Sequence, residues 1–411
     1  MSGQGRRCRV CANPELHEFL DLGAMPPANA LLQPDELELP EARFPLALSI
    51  CYRCELIQVT HVVPPQTLFQ RYVYFSSVSE VMTRHFGMLA REVQERFVPD
   101  NGLVVEIGSN DGVLLRALLG RPVRILGVDP ARNVAEQARA NGVPTIADFF
   151  SEALARDIRL QQGPASAILG NNVFAHIDDL DEVMRGINVL LADDGVVVLE
   201  FPYVVAFLEQ LEFDTIYHEH LSYFGTRPLA WLFDRYGFEI CDVKRLAVHG
   251  GSIRVYAHRR GSRRAPVSAA VAEFGALEQQ VGTARPDRLA QFARDVEQLR
   301  GELRALVTGL REAGKRIAGY TAPAKGTVLL NYCGFGSDAI EYLADATPVK
   351  QGLFCPGVRI PIRSPEYFRE DHPDYALLLA WNHKDEVLRK EAAYRSSGGK
   401  FIIPLPRVEV L

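Results

Sequence analysis

The chain has 411 residues, 47% of them hydrophobic, with 45 Lys and Arg against 51 Asp and Glu, a formal net charge of −6 and a pI near 6.0. At roughly 100–200 residues per domain this length accommodates two to four domains, and the apolar content fills a sizeable core. The acidic balance excludes non-specific nucleic-acid binding, which needs a basic surface, and no run approaches the ~18 apolar residues that span a bilayer.

The opening MSGQGRRCRV has three arginines but no apolar stretch behind them, so it does not read as a secretory signal. The expectation is a soluble, cytoplasmic protein without nucleic-acid or membrane partners. Disulfides are disfavoured in that compartment, where clustered cysteines more often bind metal. Residues 1–75 read as loop-rich and short-stranded, punctuated by Pro26-Pro27 and Pro64-Pro65. They hold four of the seven cysteines, as Cys8-x-x-Cys11 and Cys51-x-x-Cys54. A C-x-x-C turn delivers two thiolates at once, and two such turns make a closed tetrahedral zinc site with no open position for water. Such a site is structural, holding together a segment too small to build its own core. Cys241, Cys333 and Cys355 are scattered and read as core or loop residues.

A helix is predicted over about 78–97, where Val78, Val81, Met82, Phe86, Leu89, Val93 and Phe97 recur at helical spacing. Apolar runs then follow at 103–107, 124–128, 143–146, 165–169 and 195–200, separated by helical stretches at 112–119, 132–140 and 179–191. This alternation predicts an α/β fold with a doubly wound parallel sheet and right-handed crossovers. The turn after the first run is Glu106-Ile107-Gly108-Ser109-Asn110-Asp111-Gly112. Glycines there let backbone approach a ligand closely, but G-x-G-x-x-G is absent, so the dinucleotide fingerprint is not met. Asp129 ends the second strand 21 residues past Gly108, where a carboxylate can accept both hydroxyls of a ribose. Asp148 and Phe149 follow the third strand and suit an adenine amino group and ring face. Asn171, Asn172 and His176 follow the fourth, at the same carboxyl edge of the sheet, where ligands of such folds bind.

Tyr217-His218-Glu219-His220 follows the fifth strand and a short helix. Imidazole takes a proton near neutrality, Glu219 could orient a histidine, and Tyr217 could donate to an enolate oxygen. From these residues alone, a polar surface turn and a metal-binding H-x-H stay open as alternatives. Residues 238–245 and 252–258 read as a strand pair joined through His249-Gly250-Gly251, and 267–312 as charged linker helices broken near 282–286. A second α/β section starts at Arg316, with further strands at 339–344, 374–381 and 400–403. Its Gly319–Thr327 stretch reads as strand, turn and helix start, where backbone N–H groups and Lys325 could meet a diphosphate.

The order of these motifs resembles the zinc-domain-containing, S-adenosylmethionine (SAM)-dependent sugar C-methyltransferase family. The likeness rests on the two C-x-x-C pairs flanking Leu22-Gly23-x-x-Pro26-x-Ala28-x-x-Leu31-Leu32, on the Glu106–Gly112 loop with its asparagine, and on Tyr217-x-Glu219-His220. Val248-His249-Gly250-Gly251, Ala324-Lys325-Gly326 and Thr347-Pro348-x-Lys350-Gln351-Gly352 also match, so the likeness covers essentially the whole chain. It implies an N-terminal four-cysteine zinc-binding domain (1–75), a central class I methyltransferase doubly wound sheet (76–265), and linker helices with a C-terminal Rossmann-like α/β domain (266–411).

The resemblance further implies structural zinc on Cys8, Cys11, Cys51 and Cys54. SAM would be held at Glu106, Gly108, Asn110, Asp111, Gly112, Asp129, Asp148, Phe149, Asn171 and Asn172. The active-site groups would be Tyr74, His176, Tyr217, Glu219 and His220, with His220 the leading base and Glu219 its orienter. The acceptor would be a small molecule, a dTDP-4-keto-6-deoxysugar of the kind used in antibiotic biosynthesis, contacted by Lys325, Thr327, Asn331, Lys350 and His249. Methylation would then follow removal of the C-3 proton beside the ketone. Two rivals are methylation of another acidic C–H acceptor, such as a β-dicarbonyl natural product, and a zinc-anchored nucleotide-binding scaffold without catalysis. Oligomeric state is not legible.

Overall fold

The computed structural model describes residues 7–69, 80–262 and 266–411. Their strands form three sheets. The first is antiparallel: β1 (His17–Met25), β2 (Phe44–Cys51) and β3 (Leu56–Val59) pair in sequence order, and a fourth strand joins from far along the chain. The fourth strand is β9 (Ser222–Tyr223), paired antiparallel to β3. Both edges of β3 are therefore covered, and all four of its residues are buried.

The central sheet contains β4 (Leu103–Ile107), β5 (Arg124–Val128), β6 (Thr145–Ile146), β7 (Ala165–Asn171), β8 (Leu191–Pro202), β10 (Phe238–Leu246) and β11 (Ser252–Arg259). Its order is β10-β11-β8-β7-β4-β5-β6. The strands from β4 to β8 run parallel, whereas β11 is antiparallel to β8 and β10 antiparallel to β11. The sheet is thus mixed rather than wholly parallel. The short turn Val248–Gly250 between β10 and β11 can only join antiparallel neighbours.

Side-chain alternation splits the core across this sheet. Val104, Leu169, Val196 and Val198 pack with Leu89, Val93 and Phe97 of the helix Glu80–Phe97. Leu103, Val105, Ile168 and Val197 face the opposite layer with Ile158 and Ile187. Each such fully buried side chain stabilises the fold by roughly 1.5–3 kcal/mol. The helix expected over 112–119 is only Val113–Arg116, because Ala117 and Leu118 tighten onto residues three back and Gly120 turns left-handed at φ 76°.

The third sheet comprises β12 (Ile317–Tyr320), β13 (Leu343–Ala344), β14 (Ile362–Arg363), β15 (Tyr375–Leu378), β16 (Lys400–Ile403) and β17 (Glu409–Val410). Its order is β14-β13-β12-β15-β16-β17, parallel except for β17. β13 is shorter than the expected 339–344, since Ala339 and Ile340 turn back onto the Gly336 carbonyl. Two helices, Ala269–Val281 and Pro286–Glu312, lead into it. The second buries Leu289, Phe292, Val296, Leu299, Leu303 and Val307, one stripe at steps of three and four.

One apolar cluster runs through all three sheets, from Val10 to Leu405. No helix among the described residues is long and apolar enough to cross a membrane.

Candidate active site

A cavity of about 710 Å³ lies where the three sheets meet. Two sheets present their carboxyl edges to it. In the central sheet, chain order reverses beside β4, which has β5 on one side and β7 on the other; Gly108 and Asn110 after β4 and Asn171 and Asn172 after β7 line the cavity. In the third sheet the reversal lies beside β12; Thr321 and Lys325 after β12, Asp345 and Thr347 after β13, and Asn382 and His383 after β15 line it. Such switch points open a crevice between loops that diverge to opposite faces.

The central-sheet loop is built for close approach. Gly108 has φ 66°, and a Cβ there would lie 2.7 Å from Val173. Asn110 takes φ 48°, a left-handed conformation that asparagine tolerates, which is why glycine is dispensable at that position. Asp129 lines the cavity and accepts the Asn110 and Ala131 N–H groups at 2.9 Å each. Burial raises its carboxyl, and those two amides pull it back.

Asn171 Oδ1 and Asn172 Oδ1 are buried without a hydrogen-bond partner among the described residues. Phe149 and Phe150 supply apolar wall. The lining does not include Glu106, Asp111, Gly112 or Asp148. Glu106 is buried, receives Asn171 Nδ2 at 3.3 Å, and burial pushes its carboxyl well up. Gly112 packs on Val143, and Asp148 caps the Phe149 N–H at 2.7 Å.

Across the cavity stand Tyr217, Glu219, His220 and His176. His220 Nδ1 lies 2.9 Å from the Thr215 carbonyl. A carbonyl only accepts, so Nδ1 carries the proton and Nε2 presents its lone pair. Nε2 in turn receives the Tyr217 hydroxyl at 2.6 Å. The ring centroids of His176 and His220 are 4.9 Å apart. Burial pushes His176 down to about 4, so it is neutral at ordinary pH.

The group that orients His220 is thus the Thr215 backbone. Glu219 turns its Oε1 toward Asn29 Nδ2 of the first sheet's domain, 2.6 Å away. Burial raises the Glu219 carboxyl to about 7 against the opposing pull of that amide.

At the third-sheet wall, Lys325 Nζ donates to Asn382 Oδ1 and sits 4.3 Å above the Trp381 ring. Burial lowers the ammonium, while the Asp214 and Glu212 carboxyls beside it pull the other way. Glu212 is itself pushed up to about 8 by burial and by Asp214. Trp381 Nε1 donates to Asp214 Oδ2 at 2.7 Å. Lys350 also lines the cavity and donates to the Ala322 carbonyl at 2.8 Å.

Thr327 and Asn331 are spent elsewhere. The Thr327 hydroxyl binds the Ala28 carbonyl at 3.0 Å, and the Asn331 amide binds the Thr327 and Pro356 carbonyls at 2.9 Å each. Tyr74 and the His249 side chain lie outside the described residues.

The four N-terminal cysteines converge. All their sulfurs lie within 4.8 Å of one another, with Cys8–Cys54 at 3.3 Å and Cys11–Cys51 at 3.5 Å. Tetrahedral Zn–S bonds of about 2.3 Å need sulfurs roughly 3.8 Å apart, so the quartet fits zinc. The two knuckles repeat one turn: Ala12 N–H donates to the Cys8 carbonyl and Glu55 N–H to the Cys51 carbonyl. Ala12 and Glu55, each directly after a second cysteine, are left-handed at φ 54° and 67°. The Cys54 thiol beside it holds Cys8 down to about 5, while burial raises Cys11 to about 11.

Residues 8–69 match a family described as a zinc binding domain, 83–243 a methyltransferase domain and 247–406 a C-methyltransferase C-terminal domain. The chain is 40% identical over 405 residues to the C-methyltransferase NovU of Streptomyces niveus, covering 98% of this chain and 96% of that protein. The chain belongs to the zinc-domain C-methyltransferases.

Solved structures similar to this C-methyltransferase cover less than half of it. A SAM-dependent methyltransferase of Thermotoga maritima is 17% identical, covers 47% of this chain and 98% of its own, and has a TM-score of 0.36. Magnesium protoporphyrin IX methyltransferase of Synechocystis with bound S-adenosylhomocysteine is 12% identical, covers 44% and 87%, and scores 0.33. This C-methyltransferase is SAM-dependent and carries a four-cysteine zinc cluster.

Several lining residues escaped the sequence reading: Asn29, Thr215, Asp345, Thr347, Asn382 and His383. Four of these follow β13 or β15, so the carboxyl-edge rule applied to the second α/β section would have found them. Thr215 acts through its backbone and has no residue signature.

Proposed function

We propose that this enzyme removes the C-3 proton of a nucleotide-linked 4-keto-6-deoxysugar and methylates the resulting enolate. The observation that carries the reading is the His220 tautomer: a backbone carbonyl holds the proton on Nδ1 and leaves Nε2 as a base facing the cavity. When bound, SAM supplies an electrophilic methyl group for the activated carbon. The chain's own residues do the rest. His220 Nε2 takes the proton once the Tyr217 hydroxyl turns from it to the enolate oxygen, to which neutral His176 is the other candidate donor, and the cavity holds carbon and methyl donor in line. Glu219, whose carboxyl burial raises to about 7, accepts Asn29 Nδ2 beside the base. A panel of dTDP-4-keto-6-deoxysugars incubated with SAM should yield one product one methylene heavier. Methylation of a β-dicarbonyl acceptor but of no nucleotide sugar would overturn the acceptor assignment.

The methyl-donor end is assigned to Gly108, Asn110, Asp129, Asn171 and Asn172. Asp129→Ala removes a buried acceptor for ribose hydroxyls and frees the Asn110 amide. Hydrogen bonds to a charged group are worth roughly 1.5–3 kcal/mol, so SAM affinity should fall about 10- to 150-fold by calorimetry. Unchanged affinity would take Asp129 out of the site.

Lys325 and Lys350 are assigned to the diphosphate end, since they are the lysines on the opposite wall. Lys325→Ala should raise KM for the nucleotide sugar by about tenfold or more, as expected for a charge-assisted contact to phosphate. An unchanged KM, with the variant folded, would dissociate Lys325 from substrate.

A further inference from the structure

Arg9 sits inside the first knuckle, between Cys8 and Cys11, with its side chain 7% exposed. It points away from the sulfurs. Nε donates to Asp178 Oδ1 at 2.8 Å, and Nη1 donates to the Leu221 carbonyl at 3.1 Å and the Val59 carbonyl at 3.2 Å. Nη2 reaches the Val59 carbonyl again at 3.3 Å. Leu221 directly follows His220, and Asp178 stands two residues past His176. The Leu221 N–H donates to the Ala175 carbonyl at 2.8 Å, which ties the two histidine segments to each other. One planar guanidinium therefore joins the zinc knuckle, β3 and both imidazole-bearing turns.

Neighbouring contacts run the same way. His218 Nε2 lies 3.2 Å from the Phe44 carbonyl, Asn29 holds Glu219, and Ser222–Tyr223 is the fourth strand of the cysteine-bearing sheet. In the segment 218–223, His218, Glu219, Leu221, Ser222 and Tyr223 are each held by the N-terminal domain, while His220 between them bonds Thr215 and Tyr217. The ion pair with Asp178 is the weaker part, since that carboxylate is 52% exposed and screened. The bonds to the two carbonyls are the part that fixes position, because a guanidinium offers several donors in one rigid plane.

We propose that the zinc knuckle is a positioning device for the general base, and that Arg9 is the positioning residue that transmits its geometry to His220. Zinc would fix the turn on which Arg9 is mounted; Arg9, together with the Val59 N–H that reaches the same carbonyl at 3.0 Å, then fixes the Leu221 carbonyl and with it the adjoining imidazole. The kinetic part rests on His220 as base, while the structural part stands apart from it.

The test uses the full-length zinc-loaded enzyme. In the wild type, chelating zinc should accelerate amide hydrogen exchange in 217–223 together with 7–60, an outcome needing no variant. Arg9→Met should keep one zinc per chain and near-normal SAM affinity. It should already exchange fast at 217–223 with zinc bound, and lose kcat by about 10- to 100-fold with little change in acceptor KM. Arg9→Lys, which keeps the charge but not the fork, should fall between the two. Chelation that loosens 7–60 while 217–223 stays protected would overturn the proposal, as would a zinc-loaded Arg9→Met enzyme with protected 217–223. Normal turnover in Arg9→Met combined with fast exchange at 217–223 would refute the transmission of geometry to the base. Normal turnover in His220→Asn would instead remove the base assignment and leave the exchange result to decide the coupling.

Discussion

Replacing His220 with asparagine is expected to lower kcat by about 10²–10⁴-fold, the usual contribution of a positioned base. Asparagine keeps a polar side chain at the site but has no lone pair basic enough to take a carbon-bound proton. The arrangement leaves little else to compensate. Tyr217 already donates to Nε2 at 2.6 Å, and burial lowers the His176 pKa to about 4, which keeps that ring neutral and a weak base. SAM affinity should be unchanged, because the side chains assigned to SAM, Asn110, Asp129, Asn171 and Asn172, lie on other segments than His220. Any solvent deuterium exchange at the acceptor's α-carbon without SAM should slow in parallel with kcat. A variant with near-normal turnover would move the base to Tyr217 or His176.

Loss of one zinc ligand should have the largest effect on stability. Structural zinc contributes about 10–16 kcal/mol in isolated zinc-binding peptides, and this site has no spare donor among the four cysteines. Cys51→Ser should therefore reduce bound zinc, by elemental analysis, from one per chain toward none. Residues 7–60 should become the first cut by protease. Cys51 also ends β2 and pairs with Leu56 of β3, so the sheet loosens with the metal. Full zinc occupancy in the serine variant would show that Cys51 is not a required ligand and overturn the four-thiolate assignment.

The parallel strands of the central sheet were legible because each carries an apolar run bounded by a helical repeat, whereas the two-residue parallel strand β14 was missed. The two-residue strand β9 was not legible either: Ser222 and Tyr223 show no local period, and their pairing with β3 is purely tertiary. The polar side chains of Thr327 and Asn331 attract attention in a motif, yet their helix turns them toward Ala28 and Pro356. Residue type announces that a group can bind, and only the fold decides whether it is already satisfied. The reverse held at Asn110, where a missing glycine looked like a defect and the left-handed backbone makes it equivalent.

The two opposed switch points separate the enzyme's tasks by sheet. On the proposed reading, the chemistry of carbon activation belongs to loops of the central sheet braced by the zinc domain. The handle by which the acceptor is carried belongs to loops after β12, β13 and β15. Exchanging the C-terminal section between relatives should then change which activated sugar is accepted without rebuilding the base. The seam that such a graft must preserve includes the Thr327 hydroxyl on Ala28, the Trp381 indole on Asp214, the backbone pair Leu32–Phe354, and Gly357 N–H and Arg359 on Glu41. On that reading, acceptor range can be altered through the third sheet while the base stays in place.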